Sequence, residues 1–149
     1  MSNARTLASL IDGNNIVMPS GFGLDFSANA NASGMTSEVL DDYEEGNWTP
    51  SADVAPSGTT TTITGEYVKI GRVVYAYLSI SGTNLVISSY AQYSGLPFTV
   101  TATGTGYFTT NAISANIGGE VAIGGTQFYF GSTSSCTRIV ATAFYFTNS

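Results

Sequence analysis

At 149 residues the chain has the length of one domain with a modest appendage, enough to bury a core of its own. Only 9% of its residues are charged, against about 25% in a typical soluble domain, while aromatic residues contribute 12%. The formal net charge is −6, and the four cationic side chains (Arg5, Lys69, Arg72 and Arg138) are scattered along the sequence, which excludes the basic patch that nucleic-acid binding requires.

A surface made of hydroxyls and amides carries few ionic groups to desolvate, so it can be buried between subunits at low cost, and oligomerisation is expected. No apolar run reaches the roughly 18 residues of a membrane span. Residues 6–11 are too short for a secretory core and run at once into Asp12-Gly13, so the chain is expected to be made and kept in the cytoplasm, without a membrane partner. One cysteine, Cys136, cannot form an internal disulfide and reads as a small buried hydrophobe.

Residues 1–36 are rich in Asn, Ala, Gly and Ser, with apolar residues in short clusters. Such a stretch cannot bury much surface alone, and the recurring hydrophobes favour an arm that orders against another surface. Leu7, Leu10, Ile11, Ile16, Val17 and Met18 are the candidate anchoring residues. Residues 37–50 form an acidic junction in which Glu38, Asp41, Asp42, Glu44 and Glu45 crowd around Val39, Leu40 and Tyr43. One helical turn, capped by Ser37 and stopped by Gly46, is compatible with this pattern. The remaining residues, 51–149, form the β-domain.

From Ile63 onwards the hydrophobic period is two, with β-branched and aromatic residues bounded by Gly, Ser and Asn. Residues 66–70 and 73–81 flank Gly71-Arg72, the pair that a two-residue type II′ hairpin demands. On the second of these strands Val74, Ala76, Leu78 and Ile80 share the core face, while Tyr75 and Tyr77 lie on a face that is half-wet or between subunits. Further strands are predicted at 84–89, 98–103, 107–115, 120–123, 126–130 and 137–147. The last has two largely apolar faces and is expected to be central or covered by a neighbouring chain. The fold class is therefore all-β: an antiparallel, jelly-roll-like β-sandwich with an extended N-terminal arm.

The run from Leu40 through Asp41-Asp42-Tyr43-Glu44-Glu45-Gly46-Asn47-Trp48-Thr49 to Pro50, then Gly65-Glu66-Tyr67-Val68-Lys69-Ile70-Gly71-Arg72-Val73-Val74, and later Ser94-Gly95-Leu96-Pro97-Phe98, resembles a pattern of phage tail-fibre and virion-surface proteins. Gly23-Leu24-Asp25-Phe26-Ser27 resembles the segment that leads into it. The resemblance implies a β-sandwich head, commonly trimeric, joined to an N-terminal part that anchors it in the particle. No heptads or long repeat supply a shaft here, and about 36 extended residues reach at most roughly 120 Å. A homotrimeric capsid decoration (cement) protein on the virion surface, bound to the major capsid protein, is therefore favoured over a fibre tip held by a tail adaptor.

Catalysis is not expected. Histidine is absent, which removes Ser-His and Cys-His relays, and beyond Asp53 near its start the β-domain contributes only Glu66 and Glu120 as spaced carboxylates for glycoside hydrolysis. No cofactor is implied, and without His or paired Cys a zinc site has no ligands. Asp41, Asp42, Glu44 and Glu45 are hard oxygen ligands that suit calcium, although their spacing is not that of an EF-hand. The simpler expectation is that they accept backbone hydrogen bonds or pair with Arg5 or Arg138 of a neighbour. Tyr90, Tyr93 and Tyr107 are candidate contacts to a host surface glycan, set against their reading as interface or rim aromatics. Trp48 is expected to plug the base of the sandwich.

Overall fold

The structure, a computed structural model, describes residues 11–12, 15–16, 18–19, 22–28, 33, 39–40, 42–87, 90–110, 117–121, 124–131 and 135–148. Leu7, Leu10, Val17 and the acidic Asp41 lie outside them. Two compact units divide the chain, Met1–Asp42 and Tyr43–Ser149.

The first unit contains two small antiparallel ladders. Strand β1 (Ile11–Asp12) pairs with β2 (Asn15–Ile16), and β3 (Leu24–Asp25) pairs with β4 (Val39–Leu40). Asp25 accepts the Ser27 N–H at 2.9 Å, a turn that ends β3, and this bond holds its carboxyl below the usual range. Met18, Phe22, Leu24, Phe26, Val39 and Leu40 are all exposed.

The second unit carries β5 (Tyr43–Trp48), β6 (Ser51–Val54), β7 (Ser57–Ile70), β8 (Val73–Val86), β9 (Tyr90–Ser94), β10 (Ala102–Thr110), β11 (Ile117–Val121), β12 (Phe128–Gly131) and β13 (Cys136–Phe146). They form one nine-stranded sheet in the order β5-β7-β8-β13-β10-β11-β12-β9-β6, with every pairing antiparallel. No helix occurs among the described residues.

The two edge strands of this sheet are consecutive in the chain. Only Thr49 and Pro50 separate β5 from β6, a link that reaches about 10 Å, whereas eight strand spacings would hold the edges of a flat sheet roughly 38 Å apart. The sheet must therefore curl until its edges meet. A single core follows from that curl: Val74, Leu78 and Ile80 of β8, Ile139, Ala141 and Tyr145 of β13, Ala91 and Tyr93 of β9 and Phe128 of β12 belong to one buried cluster, although β8 and β9 are five places apart in the sheet.

The hairpin at Gly71-Arg72 forms as the sequence predicts, with Ile70 opposite Val73 and Gly71 alone of the pair at positive φ (+55°), the type II′ geometry. Its strands run longer than the predicted segments. On β8 the expected alternation is observed, with Val74, Ala76, Leu78 and Ile80 buried, and β13 is central, hydrogen-bonded to β8 and β10.

Three expectations are corrected. Tyr43–Trp48 is an edge strand, not the end of a helical turn, and belongs with the β-domain, while Val39–Leu40 pairs in the N-terminal unit, so 37–50 is no separate zone. Pairing with β7 satisfies backbone groups that local composition alone would leave to solvent. Tyr90–Ser94 is a strand that the sequence reading passed over. Residues 98–101, predicted to open a strand, lie in a loop instead, held by bonds from Leu96 N–H to Thr126 O (3.1 Å) and Val100 N–H to Gly125 O (3.0 Å). Pro97 lacks the N–H that a ladder needs, and Gly95 (φ +91°) turns the chain where a Cβ would stand 2.6 Å from the Thr49 carbonyl oxygen.

Candidate functional site

The two faces of β5, β7, β8 and β13 differ in chemistry. On the inner face, Trp48 is buried over Gly65, where a Cβ would stand 2.6 Å from the indole, and its Nε1–H donates to the carbonyls of Glu66 and Tyr77, both at 3.2 Å. Tyr67 closes on Gly46 and meets Phe98 edge-on, with ring centroids 5.4 Å apart at 83°. Lys69, 3% exposed, lies 5.3 Å from the Phe98 centroid and 3.7 Å from Glu44. Glu44, Gly46, Trp48, Gly65, Tyr67, Lys69 and Phe98, from three separate stretches of the sequence, thus pack against one another.

Glu44 and Glu45 are neighbours on a strand and so point to opposite faces. The first meets Lys69, and the second accepts the Tyr43 hydroxyl at 2.8 Å, which raises the Tyr43 pKa. Adjacent strand positions cannot deliver both carboxylates to one ion, and no group of three or more His, Cys, Asp or Glu side chains gathers among the described residues. Beside the expected backbone hydrogen bonds or pairing with Arg5 or Arg138 of a neighbour, the fold supplies a cation within the chain: Glu44 meets Lys69 through the β5–β7 register.

Outward, the register lays side chains in rows across the four strands. The first row is Tyr43, Ile70, Val73 and Phe146, and the second is Glu45, Val68, Tyr75 and Phe144. Asn47, Glu66, Tyr77 and Thr142 form the third. Tyr43 (63% exposed), Ile70 (50%), Tyr75 (49%), Phe144 (44%) and Phe146 (40%) leave the first row and the Tyr75–Phe144 end of the second apolar and open, with the Phe144 and Phe146 rings edge-on at 6.0 Å. Exposed apolar surface of this kind, gathered on one face, marks an interaction site. Sequence alternation hints at it in Tyr75 and in the second apolar face of β13; Tyr43 and Ile70 join only through the register.

Between the second and third rows lies an open depression of about 520 Å³, lined by Glu45, Gly46, Asn47, Glu66, Tyr67, Val68, Tyr75 and Tyr77. Arg138 donates to the Tyr77 hydroxyl at 3.2 Å beside it.

Of the predicted glycan contacts, Tyr90 and Tyr93 lie on opposite sides of β9. Tyr90 is half exposed at the start of β9. Tyr93, between its register partners Ala52 of β6 and Phe128 of β12, is fully buried, so its ring is closed to a ligand, because alternation along β9 turns it inward with Ala91. Tyr107 stands in β10 opposite Thr142. Of the predicted anchoring residues, Ile11 and Ile16 face each other across β1 and β2, and Met18 is exposed.

Comparison with family models, curated proteins and solved structures finds no match to this chain.

Proposed function

We propose that this chain is a non-enzymatic structural protein of a bacteriophage particle: a homotrimeric decoration protein whose jelly-roll-like β-sandwich sits on the capsid surface. The observation that carries the reading is the apolar first row, with Phe144 beside it, on the outer face of β5, β7, β8 and β13. A neighbouring copy laid over Tyr43, Ile70, Val73, Phe144 and Phe146 removes apolar area from water at roughly 25 cal/mol per Å² while desolvating few charges. The phage-like sequence pattern supports the virion assignment. The curled antiparallel sheet is what a sandwich of this size needs, and the exposed apolar residues of the N-terminal unit suit an arm that docks onto the major capsid protein.

Three arms per trimer would multiply a modest contact into firm attachment. Copy number against the major capsid protein in purified particles tests the placement. Hundreds of copies at a fixed ratio support decoration; a few tens or fewer reject it in favour of a tail-fibre or spike tip held by a tail adaptor. Deleting residues 1–36 should abolish incorporation and leave the trimer folded, and normal decoration by the shortened chain would remove the anchoring role. The tip reading has its own observation in the half-exposed Tyr90 ring and the tyrosine-lined depression, both suited to a host surface glycan.

A further inference from the structure

We infer that the depression on the outer face is a binding site for an uncharged saccharide, with Tyr75 and Tyr77 as the platform and Glu45, Asn47 and Glu66 as the polar rim. The inference deepens the glycan reading of this depression and rests on the outer face being open to solvent here, beyond the first row that a neighbouring copy would cover.

The site is a block of two rows by three strands. Glu45, Val68 and Tyr75 face one another across β5, β7 and β8, and Asn47, Glu66 and Tyr77 repeat the arrangement two residues along. Between the rows run the backbones of Gly46 and Tyr67, a register pair whose inner side is occupied by the Tyr67 ring packed on Gly46. The floor is therefore backbone and the walls are side chains, which makes an open trough of about 520 Å³, within the range of small-ligand sites.

A pyranose has an apolar face of C–H groups and a rim of hydroxyls. Aromatic rings beside carboxylate and amide groups complement both, since the ring covers the C–H face while Glu66 and Glu45 accept from hydroxyls and Asn47 can donate as well as accept. Tyr77 is held in place by the Arg138 guanidinium on its hydroxyl, so little side-chain entropy remains to be lost there on binding. Two carboxylates repel uronic and sialic acids. A quaternary ammonium would also be drawn to carboxylates and rings, but it is best held by an enclosing cage, and two tyrosines spaced by two on one strand stand side by side as a platform.

The test uses the full chain in its native assembly state. Ligand-observed NMR is run with glucose, galactose, mannose, N-acetylglucosamine and their disaccharides, beside choline and sialic acid, and light scattering reads the oligomer in parallel. The inference expects saturation by at least one neutral sugar, weakened about tenfold or more by Glu66→Gln and by Asn47→Ala, with the oligomer unchanged. Tyr75→Ala should remove binding. No neutral sugar bound, choline bound alone, or undiminished binding in the Glu66→Gln and Asn47→Ala variants would each overturn it. Light scattering keeps the assembly proposal separate, because a trimer that binds no sugar leaves that proposal standing, and a monomer that binds sugar does the reverse.

Discussion

The inner and outer faces of β5, β7, β8 and β13 are built from alternate residues of the same strands, yet one is fitted and the other is open. Inside, Trp48 lies on Gly65 and Tyr67 on Gly46 with no room for a Cβ to be added freely, and Lys69 is buried beside Phe98 and Glu44. Outside, Tyr43, Ile70, Phe144 and Phe146 each leave a large share of their side chain in solvent. The fitted face holds the edges of the curled sheet together, and the open one leaves apolar area exposed. A sheet supplies this division of labour through its period of two, and any substitution falls on one side of it.

The comparison is broken most severely at Trp48. Trp48→Ala should cost about 3–5 kcal/mol in a denaturant titration, since it empties the space over Gly65 and removes a donor shared by two carbonyls. Gly65→Val should be comparably harmful, because the indole is rigid and cannot swing away as a flexible side chain would.

Alkaline pH tests the fitted core at its other side. Burial pushes the Tyr93 hydroxyl up to about 12 from 10.0 and raises that of Tyr145 as well. A phenol that ionises at higher pH when folded keeps its proton in the native state while the unfolded chain loses it, so stability is complete below about pH 10 and declines as the pH climbs through about 12. The Tyr93 share is on the order of 2 kcal/mol, read as a falling denaturation midpoint, and Tyr93→Phe should flatten the fall. A midpoint equally steep in that variant would locate the alkaline loss elsewhere.

Smaller effects belong to Glu44. Its carboxylate is about half in water, so Glu44→Gln should lower stability by about 1 kcal/mol, whereas Lys69→Met keeps a chain of similar length against Phe98 and leaves Glu44 solvated, for a smaller change. If Lys69→Met proves the more damaging of the two, the ammonium matters beyond this pair. Least of all for the protomer is the outer face. Phe144→Ser should shift the unfolding of dilute monomer by no more than about 0.5 kcal/mol, yet weaken self-association on light scattering; an unaltered oligomer would exclude the Phe144 row from the contact.

Much of the β-domain is legible in the sequence because its strands announce themselves locally. Val74, Ala76, Leu78 and Ile80 alternate with polar or tyrosine positions, and Gly71-Arg72 has few conformations other than the II′ turn that joins β7 to β8. Trp48 reads as a plug and is buried as one. Tyr43–Trp48 escapes this kind of reading, since Glu44, Glu45 and Gly46 are poor strand formers and only the partner strand gives them backbone bonds and a buried lysine. Tyr90–Ser94 escapes for a related reason: in so short a run, Tyr90 outside and Tyr93 inside look alike until the neighbouring strands fix the phase.

By itself the sequence determines an all-β chain, the hairpin, the core face of β8 and the low charge that makes its surfaces cheap to bury, because period, turn chemistry and composition are properties of neighbouring residues. Tertiary structure alone decides that β5 and β6 are the two edges of one curled sheet, that Glu44 meets Lys69, and that Tyr43, Ile70, Val73 and Phe146 stand in a single row. Those facts depend on register between strands far apart in the chain, and a one-residue slip in any pairing would exchange the fitted face for the open one.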